Sequence, residues 1–379
     1  MELLESPIRK YAWGSLTAIA RLQGRPAPTA EPEAELWMGA HPAAPSRLAV
    51  SGTSLVDAIA ADPEGLLGAS GVERFGPRLP FLLKVLAAAQ PLSLQAHPTL
   101  AQARAAHAAG HPSYVDGWHK PEMLVALTDF DALCGFRDPA VTAADLAALG
   151  VAGLEETVGA LRQDDKAAAL HDAVRGLLGK PDARLVEEVV AACAARGGAY
   201  SLAVELAERY PGDAGVIVAM LLNRVRLRQG EAVWMPAGNL HAYLRGVGVE
   251  IMAASDNVLR GGLTPKHVDV EELLRVLRFE VLDDPVTRPV DVAPGLVTWP
   301  VPVEDFTLHR ALVGPGGGAA AVRLPGGGPR IVLCVRGAVR IDDGVVPVTL
   351  AAGQAAFAPA TRRELAVSGE GDVFQAATP

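Results

Sequence analysis

Cysteine is scarce in this 379-residue chain: Cys134, Cys193 and Cys334 lie far apart, are odd in number and form no CxxC pair. A disulfide scaffold and a thiolate zinc knuckle are therefore excluded as organising principles, and a reducing cytoplasm is the expected setting. Long apolar runs are also missing, none reaching the roughly 18 residues that a membrane-spanning helix needs. The start, MELLESPIRKYAWGS, has no basic stretch followed by an apolar core, so no signal peptide is expected. Positive charge is in deficit, with 34 Lys and Arg against 43 Asp and Glu and a formal balance of −9. That argues against nucleic acid or a membrane surface as partner and leaves room for a local basic pocket holding a small anion.

Half of the residues are hydrophobic and a fifth are charged, as in an ordinary globular protein, and the length calls for two or three structural units. Up to about residue 138 the chain reads as short strands (LPFLLKVL, PLSLQAHP, EMLVAL) with some helix between them. From 139 to 212 it turns Ala/Leu/Glu-rich with apolar residues three and four apart, which predicts several amphipathic helices. Strand patterns return with VIVAMLLNRVRL, and beyond about 283 runs such as RIVLCVRG and VPVTL alternate with GPGGG and DDG turns.

GEAVWMPAGNLH from Gly230 aligns with GQAAFAPATRRE from Gly353: Gly, five residues, Pro, then His241 or Glu364 five positions on. Two copies of one supersecondary unit are expected. The first copy resembles the second sequence motif of the cupin fold, a small jelly-roll barrel in which that histidine is a metal ligand. The predicted fold class is mainly β with α: a dicupin with an inserted helical domain. Residues 1–138 with 213–265 would form the catalytic cupin, 139–212 the helical insertion and 266–379 a metal-free cupin-like unit.

In a strand, alternate side chains share a face, so Ser93, Gln95 and His97 look one way out of otherwise apolar text. Glu122 in HKPEMLVAL and His241 in GNLHAYL are similarly embedded. Two imidazoles, a carboxylate and an amide oxygen make a four-ligand set for one divalent ion. Taken singly, each of these groups could instead be satisfied by hydrogen bonds. Lys120 shares a face with Glu122 while His119 points elsewhere, and Glu250 shares one with Gly248 and Met252.

YAWGS, ELWMGAHPAAPS, LPFLLKVLAAAQPLSLQAHP, HKPEMLVAL, PAGNLHAYL and GVEIMAASDNVLRGGLTPKHVD together resemble type I mannose-6-phosphate isomerases, in family order from about residue 7 to 270. The resemblance implies an enzyme with one Zn²⁺ per chain that interconverts mannose 6-phosphate and fructose 6-phosphate, feeding mannose metabolism. Its zinc ligands fall on Gln95, His97, Glu122 and His241. Its substrate positions fall on Lys84, Ser93, Lys120, Tyr243, Glu250, Asp256, Arg260 and Lys266, with Arg260 and Lys266 suited to a phosphate dianion.

The catalytic group expected is Glu250, Lys120 and Arg260. Proton transfer through a cis-enediol is the expected route, with a hydride shift as the alternative. Glu250 is the first choice as proton carrier and Lys120 the second, with His119 as an aid to ring opening. The alternatives are that Glu250 orients a Lys or Arg, that Asp256 braces the Arg260 loop, and that Tyr243 and Trp13 or Trp37 simply pack near the pocket mouth. A cupin oxygenase and a non-catalytic sugar-phosphate sensor are the rival readings.

Overall fold

A computed structural model of the chain describes residues 1–315, 318–362 and 364–379. It is mainly β with helices, as expected, and is organised around two sheets of 11 and 10 strands among the described residues. In the first sheet, Phe81–Ala88 runs antiparallel between Glu35–Met38 and His241–Ala253, followed by Glu122–Ala126 and Ala232–Met235. Every residue of Phe81–Ala88 is buried, because both faces of the strand are covered. Leu83, Val85 and Ala87 face the second β unit, whereas Leu86 joins the interior of the first. Lys84, on the Leu86 parity, is thereby directed inward.

The 13-residue strand His241–Ala253 belongs to two layers. Its first half pairs with Phe130–Phe136 and with Gln95, and its second half with Phe81–Ala88 and Glu122–Ala126. The register shifts between Tyr243 and Arg245, and Gly246 follows at φ +136°. A Cβ there would stand 2.5 Å from Phe130 Cδ2, so the corner requires glycine. The bulge also reverses the inward parity: His241 and Tyr243 precede it, Glu250 and Met252 follow it, and Tyr243, Glu250 and Met252 line one cavity.

Between Phe136 and Leu222 the chain is helical, with Pro139–Ala148, Glu155–Leu161, Lys166–Gly179, Ala183–Arg196, Ser201–Arg209 and Gly215–Ala219. Asp138, Asp165 and Asp182 each cap a helix start by accepting from backbone N–H groups. The apolar faces of these helices cover Leu133, Leu240, Ala242 and Leu244, the outward side of the layer that carries His241.

In the second sheet, Arg330–Asp342 and Leu365–Ala377 are the long paired strands, flanked by Thr307–Val313 and Ala355–Ala358. The repeat is legible in three dimensions. Ala232–Met235 leads to His241–Ala253 as Ala355–Ala358 leads to Leu365–Ala377, a four-residue strand, a turn and a 13-residue strand each time. His241 is buried, whereas Glu364 is exposed at the strand's edge, 3.6 Å from Arg323.

Strand pairing crosses the expected segment borders at both ends. Glu2–Glu5 pairs with Ala355–Ala358 and with Arg47–Leu48, and Val286–Thr287 pairs with Ala232–Met235. Phe81, Val85, Met123 and Ile251 meet Trp299, Phe306, Leu333 and Phe374 in one apolar cluster that joins the units. Each such side chain contributes about 1.5–3 kcal/mol through burial.

Candidate active site

Three buried groups converge where the two layers of the first unit meet. His97 Nε2 lies 3.4 Å and His241 Nε2 3.3 Å from Glu122 Oε2. Gln95 completes the group with its amide nitrogen 3.4 Å from His241 Nε2. The tautomers follow from the partners on the far side of each ring. His97 Nδ1 is 2.7 Å from the Asn257 carbonyl and His241 Nδ1 3.0 Å from the Asn239 carbonyl. A carbonyl only accepts, so each Nδ1 carries the proton and each Nε2 turns a lone pair toward Glu122.

His97 Nε2 and Glu122 Oε2 are buried without a hydrogen-bond partner. Two lone pairs and a carboxylate oxygen aimed at one another are poor company for themselves and good company for a cation, so this donor set fits a divalent ion. As a further ligand, Gln95 would present its amide oxygen, a half-turn of the amide away. Burial pushes the His97 imidazole down to about 4, which keeps it neutral and able to ligate. Burial opposes the Glu122 charge, yet the positive charge of Lys120 beside it holds its carboxyl well below the usual range. Lys120 Nζ is 3.1 Å from Glu122 Oε1.

Of these groups Gln95, Lys120 and Glu122 line a cavity of about 570 Å³, Glu122 being its buried end. Lys84, Ser93, Gln95, Lys120, Glu122, Tyr243, Glu250, Asp256, Arg260 and Lys266 all line it, and His97 and His241 stand behind Glu122. Lys84 is buried between Glu250 at 3.1 Å and Glu35 at 3.3 Å. Burial pushes the Glu250 carboxyl up, with Lys84 opposing and the charges of Glu122 and Glu35 assisting. The Tyr243 hydroxyl is buried without a hydrogen-bond partner, and burial followed by the Glu250 charge raises it. Arg260 and exposed Lys266 make no ion pair among the described residues, leaving both cations available to an anion in the cavity.

Three expectations are refined. His119 turns away from the cavity and pairs with Asp305 of the second unit at 2.9 Å, consistent with its opposite parity to Lys120. Asp256 pairs with His41 at 3.3 Å, not with Arg260. Trp13 and Trp37 both line the cavity, and Trp37 donates to Glu35 at 2.9 Å.

Sequence reasoning passed over Glu35, His41, Asn257 and Tyr210. Glu35 carried a signal, being a carboxylate inside ELWM on the parity of Trp37. Asn257 is fully buried; its side chain accepts from Val115 N and donates to the Asp116 and Trp118 carbonyls. It thereby fixes the carbonyl that orients His97. Tyr210 brings the helical segment into the cavity wall.

Comparison with known proteins agrees with this geometry. Residues 1–139 match the catalytic domain of type I phosphomannose isomerase. The chain is 37% identical to mannose-6-phosphate isomerase of Escherichia coli, with 98% of both chains covered. It is 33% identical to mannose-6-phosphate isomerase 2 of Arabidopsis thaliana, covering 97% of this chain and 90% of that one. A crystal structure of a phosphomannose isomerase variant from Salmonella typhimurium superposes with a TM-score of 0.91 at 35% identity, covering 100% and 99% of the two chains. A crystal structure of mannose 6-phosphate isomerase bound with zinc and yttrium gives 0.89 at 35% identity, with the same coverage. Identity sustained over nearly the whole length, with the buried His/Glu/His group in place, shows that the chain belongs to the type I phosphomannose isomerase family.

Proposed function

We propose that this protein interconverts D-mannose 6-phosphate and D-fructose 6-phosphate with one Zn²⁺ held by Gln95, His97, Glu122 and His241. The observation that carries this reading is a single cavity with Glu122 at its buried end, the unpartnered His97 Nε2 lying 3.4 Å behind the unpartnered Glu122 Oε2, and the cations Arg260 and Lys266, unpaired among the described residues, along its lining. When bound, zinc supplies Lewis-acid stabilisation to sugar oxygens that gain negative charge.

The chain's own residues supply the rest. Arg260 and Lys266 bind the phosphate dianion and fix the sugar's direction, so that C1 and C2 reach the buried end. Glu250, raised by burial, takes the proton from the carbon beside the carbonyl and returns it to the neighbouring carbon through a cis-enediol. Lys84 limits that rise and holds Glu250 in place. Lys120, beside Glu122, offers positive charge to the enediolate oxygens and is the second choice as proton carrier. Tyr243 and Ser93 offer hydroxyls to the sugar, and Asp256 contacts it from the His41 side.

The partners are small sugar phosphates. With a net charge of −9, nucleic acid is not among them, and no helix among the described residues is long and apolar enough to cross a membrane. Three buried free thiols suit the cytoplasm. The deciding experiment is conversion of mannose 6-phosphate to fructose 6-phosphate by purified protein, as prepared, after chelation and after Zn²⁺ is restored. Loss and recovery of activity is the expected result. Activity that survives complete metal removal would overturn the metal's role, and no activity in any state would overturn the reaction.

A further inference from the structure

The loop that carries Arg260 and Lys266 does not hold its own shape. Gly262 has φ +116° and Leu263, a buried residue with a side chain, has φ +54°. A leucine adopts that left-handed conformation only where its surroundings impose it. On one side, Gly261 N donates to Leu94 O and Leu94 N donates to Gly262 O, which ties the loop to the segment bearing Gln95. The other side is supplied by the helical segment, at the connection Tyr210–Gly215.

Asp213 is the residue that makes this junction. Its Oδ1 accepts from Gly215 N at 2.7 Å and its Oδ2 from Thr264 N at 3.1 Å, so one carboxylate bridges the start of a helix and the loop. The backbones also touch. A Cβ on Gly262 would lie 2.6 Å from Gly215 Cα, and one on Gly215 would lie 2.7 Å from Leu263 N. Thr264 Oγ1 in turn accepts from Lys266 N at 3.1 Å. Two hydrogen bonds, joined through Thr264, thus link Asp213 to the backbone of Lys266.

We infer that Asp213 is a positioning residue: through Thr264 N it holds Leu263 left-handed and sets Arg260 and Lys266 at the spacing that a phosphate dianion needs. Asp213 therefore tunes substrate affinity from the helical segment without itself lining the sugar cavity. This rests on the proposed use of Arg260 and Lys266 for phosphate. Asp213 itself lines the neighbouring cavity of about 620 Å³ on the far side of Gly262, Thr264 and Pro265.

The test compares wild type, Asp213→Ala, Asp213→Asn and the double variant Asp213→Ala/Leu263→Gly. Asp213→Ala should raise KM for mannose 6-phosphate roughly tenfold, the loss expected of one charge-assisted hydrogen bond, with kcat within about twofold. Zinc content should stay that of wild type. Asp213→Asn keeps an acceptor oxygen and should fall between. Glycine at 263 accepts φ +54° freely and should recover part of the lost affinity, which a merely structural role for Asp213 would not produce. Calorimetric titration with inorganic phosphate separates this inference from the reaction assignment. If wild type fails to isomerise but binds phosphate more tightly than Asp213→Ala, the reaction fails and the positioning role stands. Equal KM and equal phosphate affinity in wild type and Asp213→Ala, or no phosphate binding by wild type at all, would overturn the role.

Discussion

Lys84 and Glu250 form a buried ion pair, Nζ to Oε2 at 3.1 Å, with the Glu35 carboxylate on the same ammonium at 3.3 Å. Two carboxylates thus share one cation in the wall of the cavity, with little exposure to water. Burial drives Glu250 toward its neutral form while Lys84 restrains it, the balance that a carboxylate needs if it is to give and take a proton near neutral pH.

Replacing Glu250 by Gln keeps the shape and removes the titration. The expected result is a fall in kcat of about 10² to 10⁴, with zinc content unchanged. A kcat within tenfold of wild type removes Glu250 from the proton path and turns attention to Lys120.

Lys84→Met takes the shared cation away and leaves Glu35 and Glu250 facing each other. Stability should fall by about 3–5 kcal/mol, the usual penalty for orphaning a buried charge, read as the unfolding midpoint in denaturant. An unchanged midpoint would mean that one carboxylate is already protonated in the native state.

His241→Ala should strip zinc, measured by elemental analysis of the purified protein, and abolish isomerisation while circular dichroism stays native. Its ring is held by the Asn239 carbonyl and by the Gln95 amide, both at the site itself. Full zinc occupancy in this variant sinks the ligand assignment.

Acid should weaken the metal-free protein in a defined window. His97 is depressed from 6.5 to about 4, so between those values the unfolded chain binds the proton that the folded chain refuses, and stability drops as pH falls. Glu122, lowered, acts in the same sense at lower pH, and Glu250, raised, acts oppositely. Comparing metal-free wild type with His97→Gln isolates the imidazole: the variant's stability should vary less between pH 6.5 and 4. Parallel curves would show that His97 titrates normally.

Gly246→Val places a branched side chain at φ +136° against Phe130 and the Asp129 carbonyl. A destabilisation of about 3 kcal/mol or more is expected, with loss of activity, because Glu250 follows the bulge on the same strand. A variant as active and stable as wild type would mean that the corner has another way to turn.

Much of the site was legible because strand alternation is a strong constraint. Gln95, Lys120, Glu122 and Glu250 are polar residues in text that otherwise calls for burial, and each reaches the cavity. Alternation alone could not join His241 to Glu250, since their inward parities differ and only the bulge at Tyr243/Arg245 reconciles them. The roles of Glu35, despite its place on the Trp37 parity, and of His41 were hidden for another reason. They act through partners more than 40 residues distant, Lys84 and Asp256, and no local pattern encodes such a distance. Asn257 acts through its main chain as well as its side chain, and a backbone carbonyl leaves no mark on residue choice. The helices were plain from their spacing, whereas the docking of Asp213 onto Thr264 N depends on a loop conformation that spacing does not specify.

The pairing of Leu3 with Ala356 joins residues at opposite ends of the chain. Glu2–Glu5 also pairs with Arg47–Leu48, which is close to it in sequence, so one edge of this strand can close early and the other only once Ala355–Ala358 is in place. The second sheet is therefore finished late, and until then the open edge of Glu2–Glu5 is a tacky one. A substitution on that edge would be felt in the assembly of the second sheet before it was felt at the active site.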